Sequence, residues 1–206
     1  MNPIEFFSLM AVIAAASACG GGGGGAKTDA GACRATYPAG PYGTAVGATI
    51  DDLTLAGSQH YTDGTPVDPS PKTIKLDGYR ADPSVKVLAI LVAAEWCVPC
   101  QSEQAEVVPA YNNYKTNKQG VAILEAITQK QDTSPADQGT IDTWAKHFKI
   151  PFDLTADTSG ALAPYSNPQL FPSQLVITTC DMKIQWTHNG YDPGTLENAI
   201  DAALSL

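Results

Sequence analysis

The sequence predicts an α/β fold: a central mixed sheet flanked by helices, with an N-terminal extension and a strand/helix insertion in the middle of the domain. Three observations lead there. Residues 85–94 and 121–127 are two apolar runs rich in Val, Ile and Leu, of the length and β-branched content expected of strands buried on both faces. Each is followed by a stretch of helical character. The last third of the chain closes with two short strands around a turn and one more amphipathic helix.

Taken in order, residues 26–71 are rich in Gly, Pro, Asp and Thr, with little periodicity. Val46-Gly47-Ala48-Thr49-Ile50 and Asp52-Leu53-Thr54-Leu55 suit short strands, and residues 60–71 read as a loop. Thr73-Ile74-Lys75-Leu76 alternates like an edge strand. The run 85–94, broken only by Lys86, ends at Trp96-Cys97-Val98-Pro99-Cys100, and good helix formers follow from Gln101. Pro109 kinks that helix rather than ending it, since residues 110–114 continue toward Gly120. Ile141, Trp144, Ala145 and Phe148 keep helical spacing. Pro151-Phe152-Asp153-Leu154 reads as a short strand, and residues 159–165 as a helical turn. Residues 174–178 and 182–186 form a hairpin around Thr179-Cys180-Asp181. Asp192-Pro193 then supplies an N-cap and a first-turn proline for a helix whose apolar face is Leu196, Ala199, Ile200, Ala203 and Leu204.

The cysteine pair carries the chemistry. A CxxC placed where a strand gives way to a helix sets its first thiol against free backbone N–H groups and the positive end of the helix dipole. That environment lowers a thiol's pKa, and the thiolate is the reactive form. Zinc needs a second ligand pair, and His60, His147 and His188 lack ligand spacing, so they read as ordinary surface or core residues. Haem attachment needs His after the second cysteine, where Gln101 stands. Thiol–disulfide exchange is the chemistry that remains favoured over a merely structural pair, with no metal and no organic cofactor implied.

Residues 1–18 read as a signal peptide: 4–18 is almost wholly apolar and ends in Ala16-Ser17-Ala18. The next residue, Cys19, resembles the lipidated cysteine of a bacterial lipobox, although Ala16 stands where Leu is usual and no Lys or Arg precedes it. Six glycines, 20–25, then form a flexible tether. The alternative is a plain signal peptide cut near Ala18. Residues 19–43 are the anchor, tether and extension, and 44–206 the folded domain. Cleavage before Cys19 leaves 12 basic against 20 acidic residues, a balance of −8. Such a surface argues against nucleic acid and anionic lipid, so the membrane is reached only through the lipid. With Cys19 and the CxxC accounted for, Cys33 and Cys180 are left, and in an oxidising compartment leftover thiols tend to pair. A Cys33–Cys180 disulfide is expected; two separate thiols are the alternative.

The order of elements resembles the thioredoxin fold, and specifically the TlpA/ResA type of membrane-anchored thiol–disulfide oxidoreductase within the AhpC/TSA redoxin group. The matching residues are Val46-Gly47, Trp96-Cys97-Val98-Pro99-Cys100, Phe152-Asp153-Leu154-Thr155-Ala156-Asp157 with Gly160-Ala161-Leu162-Ala163, and Phe171-Pro172-Ser173-Gln174-Leu175-Val176-Ile177, spanning roughly residues 44–204. The resemblance implies that Cys97 and Cys100 are the redox pair and that Pro172 follows a cis bond beside it. Trp96 would shield the site, and Phe171 would meet the extended chain of a substrate, its bulk narrowing access. Glu103 matches the branch's active-site glutamate, a proton acceptor or thiol tuner; a solvated helix carboxylate is the plainer reading. Leu91 stands where thioredoxin carries a buried aspartate. The resemblance further implies a reductant of protein disulfides, kept charged by an envelope redox donor or acceptor. Gly20, rather than Asp, after Cys19 resembles the outer-membrane sorting pattern of Gram-negative lipoproteins, so the protein would sit in the envelope of a Gram-negative bacterium as an outer-membrane lipoprotein facing the periplasm, or else be soluble and periplasmic or secreted. Two other functions stand beside it. A thiol peroxidase would need Pro-x-x-x-Thr/Ser-x-x-Cys, where this chain has Val92-Ala93-Ala94-Glu95-Trp96-Cys97. A non-catalytic binding module on the same fold would have no need of an intact CxxC.

Overall fold

The computed structural model describes residues 36–206. Cys19, Cys33, the expected signal peptide and the glycine tether lie outside the described residues.

The centre of the molecule is β4 (Val87–Ala93), every residue of which is buried. It runs parallel to β5 (Val121–Ile127), with Leu91 opposite Glu125, and antiparallel to β7 (Ser173–Thr178), with Leu91 opposite Gln174. Strands covered on both faces need no polar alternation, which is why the two runs are almost continuously apolar in sequence. β6 (Asp153–Thr155) adds parallel to β5, and β8 (Lys183–Asn189) closes the hairpin with β7. Beyond β6 comes β1 (Thr54–Thr62), antiparallel, which carries β2 (Thr65–Pro66) and β3 (Lys72–Lys75) as partners. The eight-stranded mixed sheet therefore reads β2-β1-β6-β5-β4-β7-β8, with β3 on β1.

The helices are α1 (Leu76–Ala81), α2 (Val98–Asn113), α3 (Gln138–Phe148) and α4 (Thr195–Leu204). α2 takes Cys97 as its N-cap and keeps Pro109 in its interior, then continues as a π-helical turn from Tyr114 to Lys118. α3 begins with a capping box between Asp137 and Thr140, two reciprocal bonds that satisfy donors at the helix start.

Four expectations change. Residues 60–71 are not a loop: β1 runs to Thr62, and β2 and most of the turn fill the rest. Only the first two residues of β1, Thr54 and Leu55, fall in an expected strand, because the register with β3 shifts between Leu55 and Ser58, around Gly57 at φ 74°, and the buried positions change phase halfway along. Residues 46–50 form no strand. They run beside β8 through a single bridge, Thr49 to Lys183, with Gly47 N–H donating to the Ile184 carbonyl. Leu76 opens a short helix instead of ending a strand. The last helix also starts later than expected. Gly194, at φ 76°, is its N-cap, its N–H given to the Glu106 carboxylate at 2.9 Å, while the Asp192 carbonyl accepts from Thr195.

Candidate active site

Cys97 and Cys100 form a disulfide, S–S 2.07 Å, at the step from β4 to α2. Cys97 Sγ accepts the Cys100 backbone N–H at 3.1 Å, so a free N–H of the first helical turn already faces the sulfur that would carry charge. Pro99 lies in that first turn, where its missing donor costs nothing. In the disulfide state Cys97 is 2% exposed and Cys100 wholly buried, so even the leading sulfur shows only an edge.

Trp96, the residue before Cys97, pairs with a second aromatic ring. Trp96 lies 6.0 Å, ring to ring, from Phe171, and its Nε1 donates to Gln129 Oε1 at 2.8 Å. Phe171 precedes Pro172 through a cis peptide bond, as the resemblance implied, and the Pro172 carbonyl accepts from Gly190 N–H. Val98, by contrast, is exposed between the cysteines.

Where α2 packs on the sheet lies a polar layer, of which the sequence pointed only to Glu103. Leu91, at the middle of β4, is flanked in register by Gln174 on β7 and Glu125 on β5, so the three side chains form a row on one face of the sheet. Two successive residues of α2 reach down either side of Leu91. Glu103 Oε1 accepts from Gln174 Nε2, and Gln104 Nε2 donates to Glu125 Oε1 at 2.8 Å and to the Cys100 carbonyl at 3.4 Å. Trp144 Nε1 of α3 completes the set, donating to Glu125 Oε2 at 3.2 Å. Glu103 is 1% exposed, which removes the reading of a solvated helix carboxylate. Burial is the main force pushing its pKa up to about 8; Gln174 opposes the shift and Glu106 adds to it. A narrow cleft between α2 and α4, lined by Glu103, Glu106, Tyr191, Asp192 and Leu196 among others, leads from this carboxyl toward the surface.

The other sequence candidates fall elsewhere. His60 pairs with Asp153 at 2.8 Å, His188 with Asp192 at 3.2 Å, and His147 packs edge-on against Phe148. Among the described residues no cluster of His, Cys, Asp and Glu is set to hold a metal, and no helix is long and apolar enough to cross a membrane. Cys180 is disulfide-bonded and lies in the β7–β8 turn; its expected partner, Cys33, is outside the described residues. Glu125 had a faint signal, as the one charged residue in an otherwise apolar run. Gln104, Gln174 and Trp144 had none.

Structural neighbours share this arrangement of elements. A candidate thiol:disulfide interchange protein, DsbE, from Chlorobium tepidum is 19% identical, over 78% of this chain and 98% of its own, with a TM-score of 0.56. The fold is thioredoxin-like. StoA from Bacillus subtilis is 15% identical over 73% of this chain and 96% of its own, TM-score 0.50. AhpC from Enterococcus faecalis, at 12% identity, covers 77% of this chain and 91% of its own, TM-score 0.54. No protein-family model matches the chain, and no curated protein matches it. On a thioredoxin-like fold the Cys97–Cys100 disulfide sits at the β4–α2 junction, which is where the dipole and the free N–H groups act on it.

Proposed function

We propose that the protein is a dithiol–disulfide oxidoreductase that reduces protein disulfides outside the cytoplasm. The observation that carries this reading is the Cys97–Cys100 disulfide at the N-terminus of α2, backed by a buried carboxyl group on the same helix. In the reduced protein, the Cys97 thiolate attacks a substrate disulfide; a Cys97–substrate bond forms as the substrate's own S–S bond breaks, and one substrate sulfur leaves as thiolate. Cys100 then gives its proton to the Glu103 carboxylate and attacks Cys97 Sγ. The intramolecular disulfide forms, the second substrate sulfur leaves, and two electrons have passed to the substrate.

Glu103 suits that role because its proton affinity, near 8, lies close to a thiol's ordinary value of about 8.5, so the proton moves either way at little cost. Trp96 and Phe171 form the wall a substrate chain would lie against, and the backbone beside Pro172 would pair with it as an added strand. A Cys33–Cys180 disulfide would tie the N-terminal extension to the β7–β8 turn, away from the redox pair. Catalysed reduction of insulin by dithiothreitol tests the reading. Turnover well above the uncatalysed rate supports it; a rate equal to the control would leave a binding module on a redox fold.

The segment ahead of the domain supports a cell-envelope location, with Cys19 lipidated at the outer membrane of a Gram-negative cell and the domain 44–206 held off the membrane by glycines 20–25. Its partners would be protein thiols and disulfides and an envelope redox donor. Mass spectrometry of the mature N-terminus is expected to find a diacylated or triacylated Cys19, and Cys19→Ser to release exported protein from the membrane fraction. An unmodified N-terminus near residue 19 would make the protein soluble and periplasmic or secreted.

A further inference from the structure

Glu125 is wholly buried at the middle of β5, where the run Val121–Ile127 otherwise supplies apolar side chains. A carboxyl in such a place is costly unless something holds it, and the donors present are two neutral N–H groups, from Gln104 and Trp144. The same Gln104 amide also touches the Cys100 carbonyl. Across Leu91, Glu103 is held by Gln174 alone, and its second oxygen has no partner; nor have the side-chain oxygens of Gln104 and Gln174. All three orphans are acceptors. A layer with spare acceptors and too few hydrogens is completed by protons placed on its carboxyl groups.

We propose that Glu125 is a positioning residue for the active-site proton: a second buried carboxyl group that biases, through charge on Glu103 and through Gln104 on the Cys100 turn, whether Glu103 carries its proton. The inference rests on the role given to Glu103 above. The geometry fits because Glu103 and Gln104 are adjacent on α2 and grip the sheet on opposite sides of one leucine. The two carboxyl groups are thus held on the same face of the sheet, one on each side of Leu91, near enough for the charge on Glu103 to act on Glu125. The groups that act on each charge are few. On Glu125 they are Glu103 from α2, Trp144 from α3 and Gln104 from α2; on Glu103 they are Gln174 from β7 and Glu106 from α2. Burial raises the proton affinity of both, and Glu103's charge raises that of Glu125 further. Two such sites do not titrate independently: ionising one makes the other harder to ionise, and the protons leave in two steps belonging to the pair.

Reduction of the disulfide takes up two electrons and two protons, so the state of this pair enters the pH at which the dithiol becomes reactive. With Glu125 ionised, Glu103 holds its proton more tightly, so near neutral pH less of it is ionised and ready to accept the Cys100 proton in the resolving step. With Glu125 neutral, Glu103 ionises more readily. The cleft between α2 and α4 gives Glu103, but not Glu125, a route toward solvent, since Glu125 is absent from its lining. Glu125 therefore sets the affinity and Glu103 exchanges the proton.

The test is carbon-13 NMR titration of the glutamate carboxyl groups in the oxidised full-length protein, for the native chain, Glu125→Gln and Trp144→Phe, alongside the pH profile of thiol alkylation after reduction. The native protein is expected to show two coupled steps well above the ordinary glutamate range. Glu125→Gln should leave one step, with Glu103 titrating about one pH unit lower than the pair's upper step, about tenfold in proton affinity, and with the alkylation profile moving too. Trp144→Phe keeps the carboxyl and removes a donor to its charged form, so it should move the pair upward; it keeps the proposal open to refutation if the glutamine variant does not fold. A Glu103 step unmoved by both variants, or a Glu125 carboxyl that titrates in the ordinary range, overturns the proposal. Neither result touches insulin turnover, so it is separable from failure of the oxidoreductase reading, which would appear as absent turnover with the coupled titration intact.

Discussion

Replacing Cys97 with serine is expected to abolish disulfide exchange outright, with insulin turnover falling to the uncatalysed rate. The reason is positional. Cys97 is the N-cap of α2, its sulfur already accepts the Cys100 N–H, and it keeps the slightly exposed edge of the pair, whereas Cys100 is enclosed by the core. A serine hydroxyl at that place stays protonated and does not attack sulfur. Cys100→Ser is expected to differ in kind: the first attack proceeds, nothing resolves it, and mixed disulfides with substrate accumulate as adducts on non-reducing gels. Full activity in Cys97→Ser would sink the assignment, and the same adducts in both variants would remove the distinction between attacking and resolving sulfur.

Glu103→Gln is expected to slow the resolving step by about 10²-fold near neutral pH, the lower range for a lost general acid–base group, and to flatten the pH profile of thiol alkylation. The fold should survive, since glutamine keeps the shape and the Gln174 amide can turn to meet it. Stability gives a second readout with a definite sign. Burial, opposed by Gln174 and reinforced by Glu106, raises the folded-state pKa of Glu103 from the ordinary 4.5 to about 8. Below pH 4.5 both folded and unfolded chains carry the proton. Between 4.5 and 8 only the folded chain keeps it, so stability falls as pH rises through that window, by an amount on the order of a few kcal/mol, and levels off above it. Glu103→Gln should remove Glu103's share of that slope, seen as a smaller loss of urea midpoint between pH 5 and pH 8. An unchanged slope together with an unchanged alkylation profile would reduce Glu103 to a buried residue with no part in the chemistry.

The portions legible in the sequence were those where one physical rule dominates. β4 and β5 are covered on both faces, so composition alone marks them, and the CxxC with Pro99 marks the start of α2. The Ser173–Asn189 hairpin and the spacing of α3 were similarly plain. β1 was not, because the register shift at Gly57 breaks the alternation that would announce it. The start of α4 was misplaced because Asp192 is spent on the Thr195 turn and an ion pair with His188. Glycine at 194 can take the positive φ that lets its N–H reach Glu106.

The site shows the same division. Resemblance led to Glu103, but its burial depends on where α2 crosses the sheet, which periodicity does not report. Gln174, Leu91 and Glu125 become neighbours only through the β7-β4-β5 order. Nothing local in any of those three segments shows that they align, so the polar layer could emerge only from the register.

The central claim is that Cys97–Cys100 is a redox couple and not a structural cross-link, and its reduction potential tests that most directly. The oxidised protein would be equilibrated in dithiol–disulfide buffers of stepped potential, and its free thiols at positions 97 and 100 trapped by alkylation and counted by mass spectrometry. The account predicts a reversible two-electron transition between roughly −120 and −270 mV, toward the reducing end of that span for a reductant. A pair that stays oxidised until below about −300 mV would be a structural disulfide and would contradict it.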